Sequence, residues 1–190
     1  MSDADPSDET LIARYARGDA EAFTALYRRH ELRVWRYLER NLGNRACAEE
    51  LMQEVWFAVA RDAERYRPTG RFTTWLFTIA RNRMVDALRA RRPQVSLEAL
   101  GFEDASVSER LTADPAAGPL AAAEARDEAT ALRGALTLLP PEQRDAFLLQ
   151  LEGDLSVEDV AAVTGSSFET VKSRLRYARN RLRELLSEYA

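Results

Sequence analysis

Cysteine and histidine are almost missing: Cys47 and His30 are the only ones in 190 residues. One thiol excludes an intramolecular disulfide, and the two residues together exclude a zinc site built from Cys and His ligands. His30 has no evident partners for a nucleophile triad, and there is no glycine-rich phosphate loop. Enzymatic chemistry therefore has no foothold, and no metal or cofactor is expected. Long apolar runs are absent as well. Nothing approaches the roughly 18–20 residues that span a bilayer, so no membrane insertion is expected. The start, "MSDADPSDET", has neither the basic end nor the apolar core of a signal peptide. A cytoplasmic location is the expectation. His30, in "YRRHELR", reads as a surface polar residue, and Cys47 as a small, partly buried one near a helix start.

What is present has the helical period almost throughout. After a short helix at about residues 8–17, "DAEAFTALYRRHELRVWRYLERNLG" places Phe23, Leu26, Tyr27, Val34, Leu38 and Leu42 near one stripe. Asp19 suits its N-cap and Gly43 its stop. A third helix, about 46–65, carries Leu51, Met52, Val55, Trp56 and Val59. A fourth, about 73–91, turns Trp75, Leu76, Ile79, Val85 and Leu88 inward and stops at Pro93. No strand of convincing alternation occurs, so the expected fold is all-α.

From Pro93 to Glu128 the character changes. Pro93, Pro115, Pro119, Gly101 and Gly118 interrupt the helical pattern, and eight acids face only Arg110 and Arg126. This reads as an acidic, mostly extended linker with short helical patches at most. The expected organisation is a four-helix domain at 1–92, a linker at 93–128 and a second helical domain at 129–190. In the last, "TALRGALTLLP" is a helix stopped before Pro140, and Pro141 opens the next, which Gly153 ends.

The chain is acidic, with net charge −4, yet Lys172, Arg174, Arg176, Arg179, Arg181 and Arg183 face Glu169 alone near its end. Ser156–Asp159 and Ser166–Glu169 each have the pattern of a capping box, and "VAAVTG" lies between them. Two helix starts so close, with a glycine between, describe a helix-turn-helix. Ala161 allows close approach of the helices, Gly165 supplies the turn and Val171 plugs the angle. The second helix would enter a major groove, with Lys172, Ser173 and Arg176 in its first turns. Each phosphate contact would add about 0.9 to the salt slope of binding.

A second basic cluster, Arg71, Arg81, Arg83, Arg89, Arg91 and Arg92 against Asp86, is interleaved with Phe72, Trp75 and Phe77. Cations among aromatics suit single-stranded nucleic acid, although for Trp75 core packing is the simpler reading.

These segments resemble the extracytoplasmic-function (group IV) sigma factors of bacterial RNA polymerase, in the sigma-70 family. The likeness runs through "GDAEAFTALYRRH", "AEELMQEVW", "FTTWLFTIARNRMVDALRARR" and "LTLLPPEQRDAFLLQLEGDLSVEDVAAVTGSSFETVKSRLRYARNRL". It implies a sigma2-like first domain and a sigma4-like second one. Core RNA polymerase, through the clamp helices of its largest subunit and the flap of the second, and promoter DNA would be the partners. The resemblance gives Glu50, Gln53 and Glu54 to the docking face, at a spacing that shares one side of a helix. It gives Arg71, Arg81, Asn82, Arg83 and Arg89 to the −10 element, read as single strand. Asn82 falls where family members set a polar side chain near an extruded base, and the pocket for that base would lie between the loop Arg67–Arg71 and the next helix. Lys172, Ser173, Arg176, Tyr177 and Arg179 would read the −35 element as duplex. Two departures stand out: "RACAEEL" lacks an upstream acid common in the family, and Tyr177 replaces a frequent basic residue. Many members answer to an anti-sigma factor. A stand-alone helix-turn-helix regulator, or a decoy that sequesters an anti-sigma factor, remain the competing readings of the residues.

Overall fold

The computed structural model describes residues 5–67, 70–91 and 119–187. Its regular elements there are helices: α1 (Asp8–Tyr15), α2 (Ala20–Leu42), α3 (Arg45–Asp62), α4 (Phe72–Arg91), α5 (Pro119–Thr137), α6 (Pro141–Gly153), α7 (Val157–Thr164) and α8 (Phe168–Leu185), with a 3-10 turn at Ala63–Arg65. The acidic stretch from Pro93 to Gly118 lies outside the described residues, as do Pro68 and Thr69 of the loop Arg67–Arg71. Helix α5 begins at Pro119, well inside the stretch read from sequence as mostly extended linker.

Local chemistry sets most helix ends. Asp19 accepts from the backbone N–H groups of Glu21 and Ala22, which opens α2, and Arg14 holds the same carboxylate. Asn44 opens α3 by accepting from the Cys47 N–H. Gly43 and Gly165 end α2 and α7 at φ of 63° and 64°, in the left-handed region where a Cβ is costly. The first expected capping box is present in full on Ser156 and Asp159. The second is shifted by one residue. Ser167, not Ser166, caps α8 by accepting from the Thr170 N–H, while Ser166 Oγ accepts from Arg174 at 2.9 Å.

Helix α2 is the spine. It packs on α1, α3 and α4, and also on α6, so the two halves of the chain share one continuous core. Leu26, Val34, Tyr37 and Leu38 of α2, Phe72, Leu76 and Phe77 of α4, and Leu148, Leu149 and Val160 of the second half are all sealed from solvent. The junction is tight where α6 ends. A Cβ on Gly153 would sit 2.9 Å from Leu155 Cγ and 3.3 Å from Phe77 Cγ, so only glycine lets α6 close against α4 there. Asp154 follows in the left-handed region, at φ 51°.

Three expectations are corrected. His30 is buried: its Nε2 lies 2.8 Å from Asp8 Oδ2 and its ring packs on Phe72. Helix α1, laid across α2, supplies both the cover and the acid. Burial alone would raise the Asp8 carboxyl, but His30 and Arg29 together hold it below its usual value. Phe72 and Phe77 are fully buried and cannot stack on bases. Finally, the inward face of α4 is wider than expected: Leu76 is buried and Trp75 and Ile79 pack on the core, but the face extends to a further row of residues. Phe77, Ala80 and Met84 are buried while Leu88 is 44% exposed, because α4 packs on α6 and α7 as well as on α3.

Candidate nucleic-acid interface

The helix-turn-helix is built as the sequence implied. Its seven-to-eight angle is filled by Val160, Val163, Val171 and Leu175, and α8 continues its inner stripe with Ala178 and Leu182. That stripe leaves Lys172, Arg176, Tyr177, Arg179, Asn180 and Arg183 facing outward. Ser173 is half-buried. The predicted −35 residues therefore lie on one helix, with Lys172 and Arg176 one turn apart. Arg179 is tethered by a hydrogen bond to Gln150 of α6.

The predicted −10 residues are not brought together. On α4, Arg81, Asn82 and Arg83 are consecutive and so point about 100° apart from one another. Asn82 and Arg89, seven residues apart, share an exposed side, and Arg89 is loosely paired with Asp86 at 3.9 Å. Arg83 is half-buried on another side. Arg71 and Arg81 face neither of these but the second half of the chain. Arg71 donates to the Asp154 backbone oxygen at 2.9 Å and pairs with its carboxylate at 3.0 Å. Arg81 pairs with Asp145 Oδ2 at 2.7 Å.

These two contacts belong to a wider polar seam that sequence reasoning missed. Tyr37 donates its hydroxyl to Asp145 Oδ1 at 2.7 Å, and burial beside that carboxylate pushes the phenol well up. Arg40 pairs with Glu152 at 2.5 Å, and Arg33 donates to the Glu152 backbone oxygen at 2.6 Å. Burial raises the Glu152 carboxyl in spite of Arg40, Arg36 and Arg33 around it. Thr74 donates to Asp159 at 2.9 Å. Every carboxylate in the seam comes from α6, α7 or the turn between them, and every arginine from α2, α4 or the residue just before α4. The acids of the second half thus lie against part of the cationic face of the first. Nothing local in the sequence marks this pairing, since the partners are 64 to 119 residues apart.

The predicted docking residues do share a face. Glu50, Gln53 and Glu54 are all exposed on α3, and among the described residues none of their side chains has an ion pair or hydrogen bond. Phe57, one turn further along the same face, is 73% exposed. Sequence reasoning passed over it, although its i+3 spacing from Glu54 was the available signal. Among the described residues there is no cluster of His, Cys, Asp or Glu able to hold a metal, and no helix long and apolar enough to cross a membrane.

Residues 26–94 match the family model for sigma-70 region 2, and residues 129–182 match that for sigma-70 region 4. The RNA polymerase sigma factor CarQ of Myxococcus xanthus is 37% identical, over 93% of this chain and 96% of its own length. The ECF RNA polymerase sigma factor SigE of Mycolicibacterium smegmatis is 38% identical, over 98% of this chain and 72% of its own. Among solved structures, the sigma factor RpoE of Bartonella quintana, in complex with the anti-sigma factor NepR, superposes with a TM-score of 0.65 at 26% identity, covering 87% of this chain and 96% of that one. The chain belongs to the extracytoplasmic-function sigma factors of the sigma-70 family.

Proposed function

We propose that the protein binds core RNA polymerase in the cytoplasm and directs it to its own set of promoters, acting by binding rather than catalysis. Residues 1–92 form the unit that docks on core and captures the −10 element as single strand, residues 93–128 link the two units, and residues 129–190 read the −35 element as duplex. The observation that carries this reading is the segregation of charge. An unpaired acidic face on α3 and an outward cationic face on α8 sit on different units of one chain whose relatives are sigma factors. Glu50, Gln53 and Glu54 meet the clamp helices of the largest subunit, steered by opposite charge, and the second unit reaches the flap. Lys172, Ser173, Arg176, Tyr177 and Arg179 meet duplex DNA.

The −10 role of Arg71 and Arg81 carries a condition. Arg81, part-buried against Asp145, cannot reach a DNA phosphate while that pair holds, and the Asp154 carboxylate competes for Arg71, so in the promoter-bound form α6 and α7 have moved off α4. Asn82 and Arg89 are outward already. Melting then follows from tighter binding of the separated strand than of the duplex. The anti-sigma factor on the Bartonella relative suggests an inhibitor of the same kind for this chain. A stand-alone regulator would have no use for the α3 face, and a decoy none for the α8 face.

The test separates the two surfaces. Arg176→Ala weakens binding of holoenzyme to a −35 duplex and leaves core affinity unchanged, whereas Glu54→Arg does the reverse. Equal loss of both affinities in either variant contradicts the assignment.

A further inference from the structure

Helix α8 carries six cations, but they are not equally free. Arg174 donates to Ser166, Arg179 to Gln150 and Arg183 to Asn180, and Arg181 pairs with Glu184. Among the described residues, the Lys172 and Arg176 side chains make no hydrogen bond or ion pair, and the Arg176 guanidinium rests over the Tyr177 ring, 5.0 Å from its centroid. Four residues apart, these two share one face. The next position on that face toward the helix start is Phe168, the first residue of α8 and 41% exposed. Its place is fixed, because Ser167 caps the helix immediately before it. Nor does the fold need its ring: the inner side of α8 is already filled by Val171, Leu175, Ala178 and Leu182.

A major groove presents donors and acceptors at every base pair but only one apolar group, the C5 methyl of thymine. An aromatic ring on the leading turn of a groove-reading helix, in line with two free cations, matches that group. We propose that Phe168 is a specificity-determining residue that contacts a thymine methyl in the −35 element. This rests on the reading of α8 given above. Eight residues separate Phe168 from Arg176, about 12 Å along the helix, so the thymine lies within about three to four base pairs of the pair read by Arg176.

The experiment uses holoenzyme, the full chain with core polymerase, on a promoter selected by that holoenzyme from genomic fragments. Each thymine of the −35 element, on either strand, is replaced in turn by deoxyuridine, which removes the methyl and nothing else. At one position the wild type is expected to bind about fourfold more weakly, as for loss of one buried methyl-sized group. Phe168→Ala is expected to bind the thymine and deoxyuridine promoters equally. Because each comparison is made within one variant, a change in its folded fraction cancels. The proposal is overturned if no position is sensitive, if the −35 element holds no thymine, or if Phe168→Ala keeps the wild-type preference. Scrambling the whole −35 element tells the two levels apart. Strong weakening on scrambling without methyl sensitivity removes only the role of Phe168, whereas no weakening on scrambling removes the underlying reading of α8, and this role with it.

Discussion

Arg81 and Asp145 meet across the seam between the two halves, Nε to Oδ2 at 2.7 Å, with the second carboxylate oxygen taken by the Tyr37 hydroxyl. The carboxylate is thereby satisfied by a cation and a phenol, each from the first half of the chain. Removing its charge leaves Arg81 facing a largely desolvated site without a counter-ion. Asp145→Asn is therefore expected to cost about 3 kcal/mol, in the range for breaking a buried pair. Urea unfolding would show a lowered midpoint, and hydrogen exchange would quicken first in α6. An unchanged midpoint with unchanged exchange contradicts a stabilising role for the Arg81–Asp145 pair.

Acid should weaken the junction of α1 with α4. Glu9 accepts the Phe72 backbone N–H at 2.9 Å, which holds its carboxyl below the usual value and caps α4 from outside the helix. A carboxyl depressed in the folded state stabilises above its unfolded value, near 4.5, and that contribution disappears as pH falls through the lower folded value. Glu9→Gln is expected to cost about 1 kcal/mol at neutral pH, typical of a cap, and to lose less stability than the wild type between neutral pH and pH 4. Parallel pH profiles for the two proteins would show that Glu9 has no such part.

Phe57 stands on the α3 face among Glu50, Gln53 and Glu54, 73% exposed. An exposed apolar ring beside Gln53 and Glu54 fits the pattern of an interface anchor with a polar surround. Phe57→Ala should weaken core polymerase binding by about 2 kcal/mol while leaving the thermal midpoint nearly unchanged, since the ring contributes little to the core. Titration of labelled protein with core polymerase checks the first part and calorimetry the second. Unaltered core affinity would remove Phe57 from the docking face.

How much could be read in advance depended on the range of the interactions. Asp19, Gly43, Ser156 and Gly165 act on residues next to them, so their roles as caps and stops were legible. The outward face of α8 was legible for the same reason: a helical stripe fixes both its sides. His30 was misread because its burial depends on Asp8, a helix away, and its own neighbours in the chain are polar. Phe72 and Phe77 looked available for stacking because the sequence does not show what surrounds them, His30, Tyr66 and Trp75 at Phe72 and Tyr37 with the end of α6 at Phe77. Nothing in the local sequence marks Asp145 and Glu152 for burial, yet both are almost fully buried against arginines of α2 and α4. The five −10 residues face in different directions for two reasons: consecutive positions on α4 diverge by about 100°, and long-range pairs turn Arg71 and Arg81 toward the second half of the chain.

The central claim is that this chain confers promoter recognition on RNA polymerase, and reconstituted transcription tests it most directly. Core polymerase would be incubated with the purified full-length protein and a library of genomic fragments from the same organism, and the run-off transcripts sequenced. The account predicts discrete start sites that share upstream −10 and −35 elements, absent with core polymerase alone and lost on the Arg176→Ala and Glu54→Arg substitutions. No start site above the core-only background, with a protein shown to be folded, would contradict it.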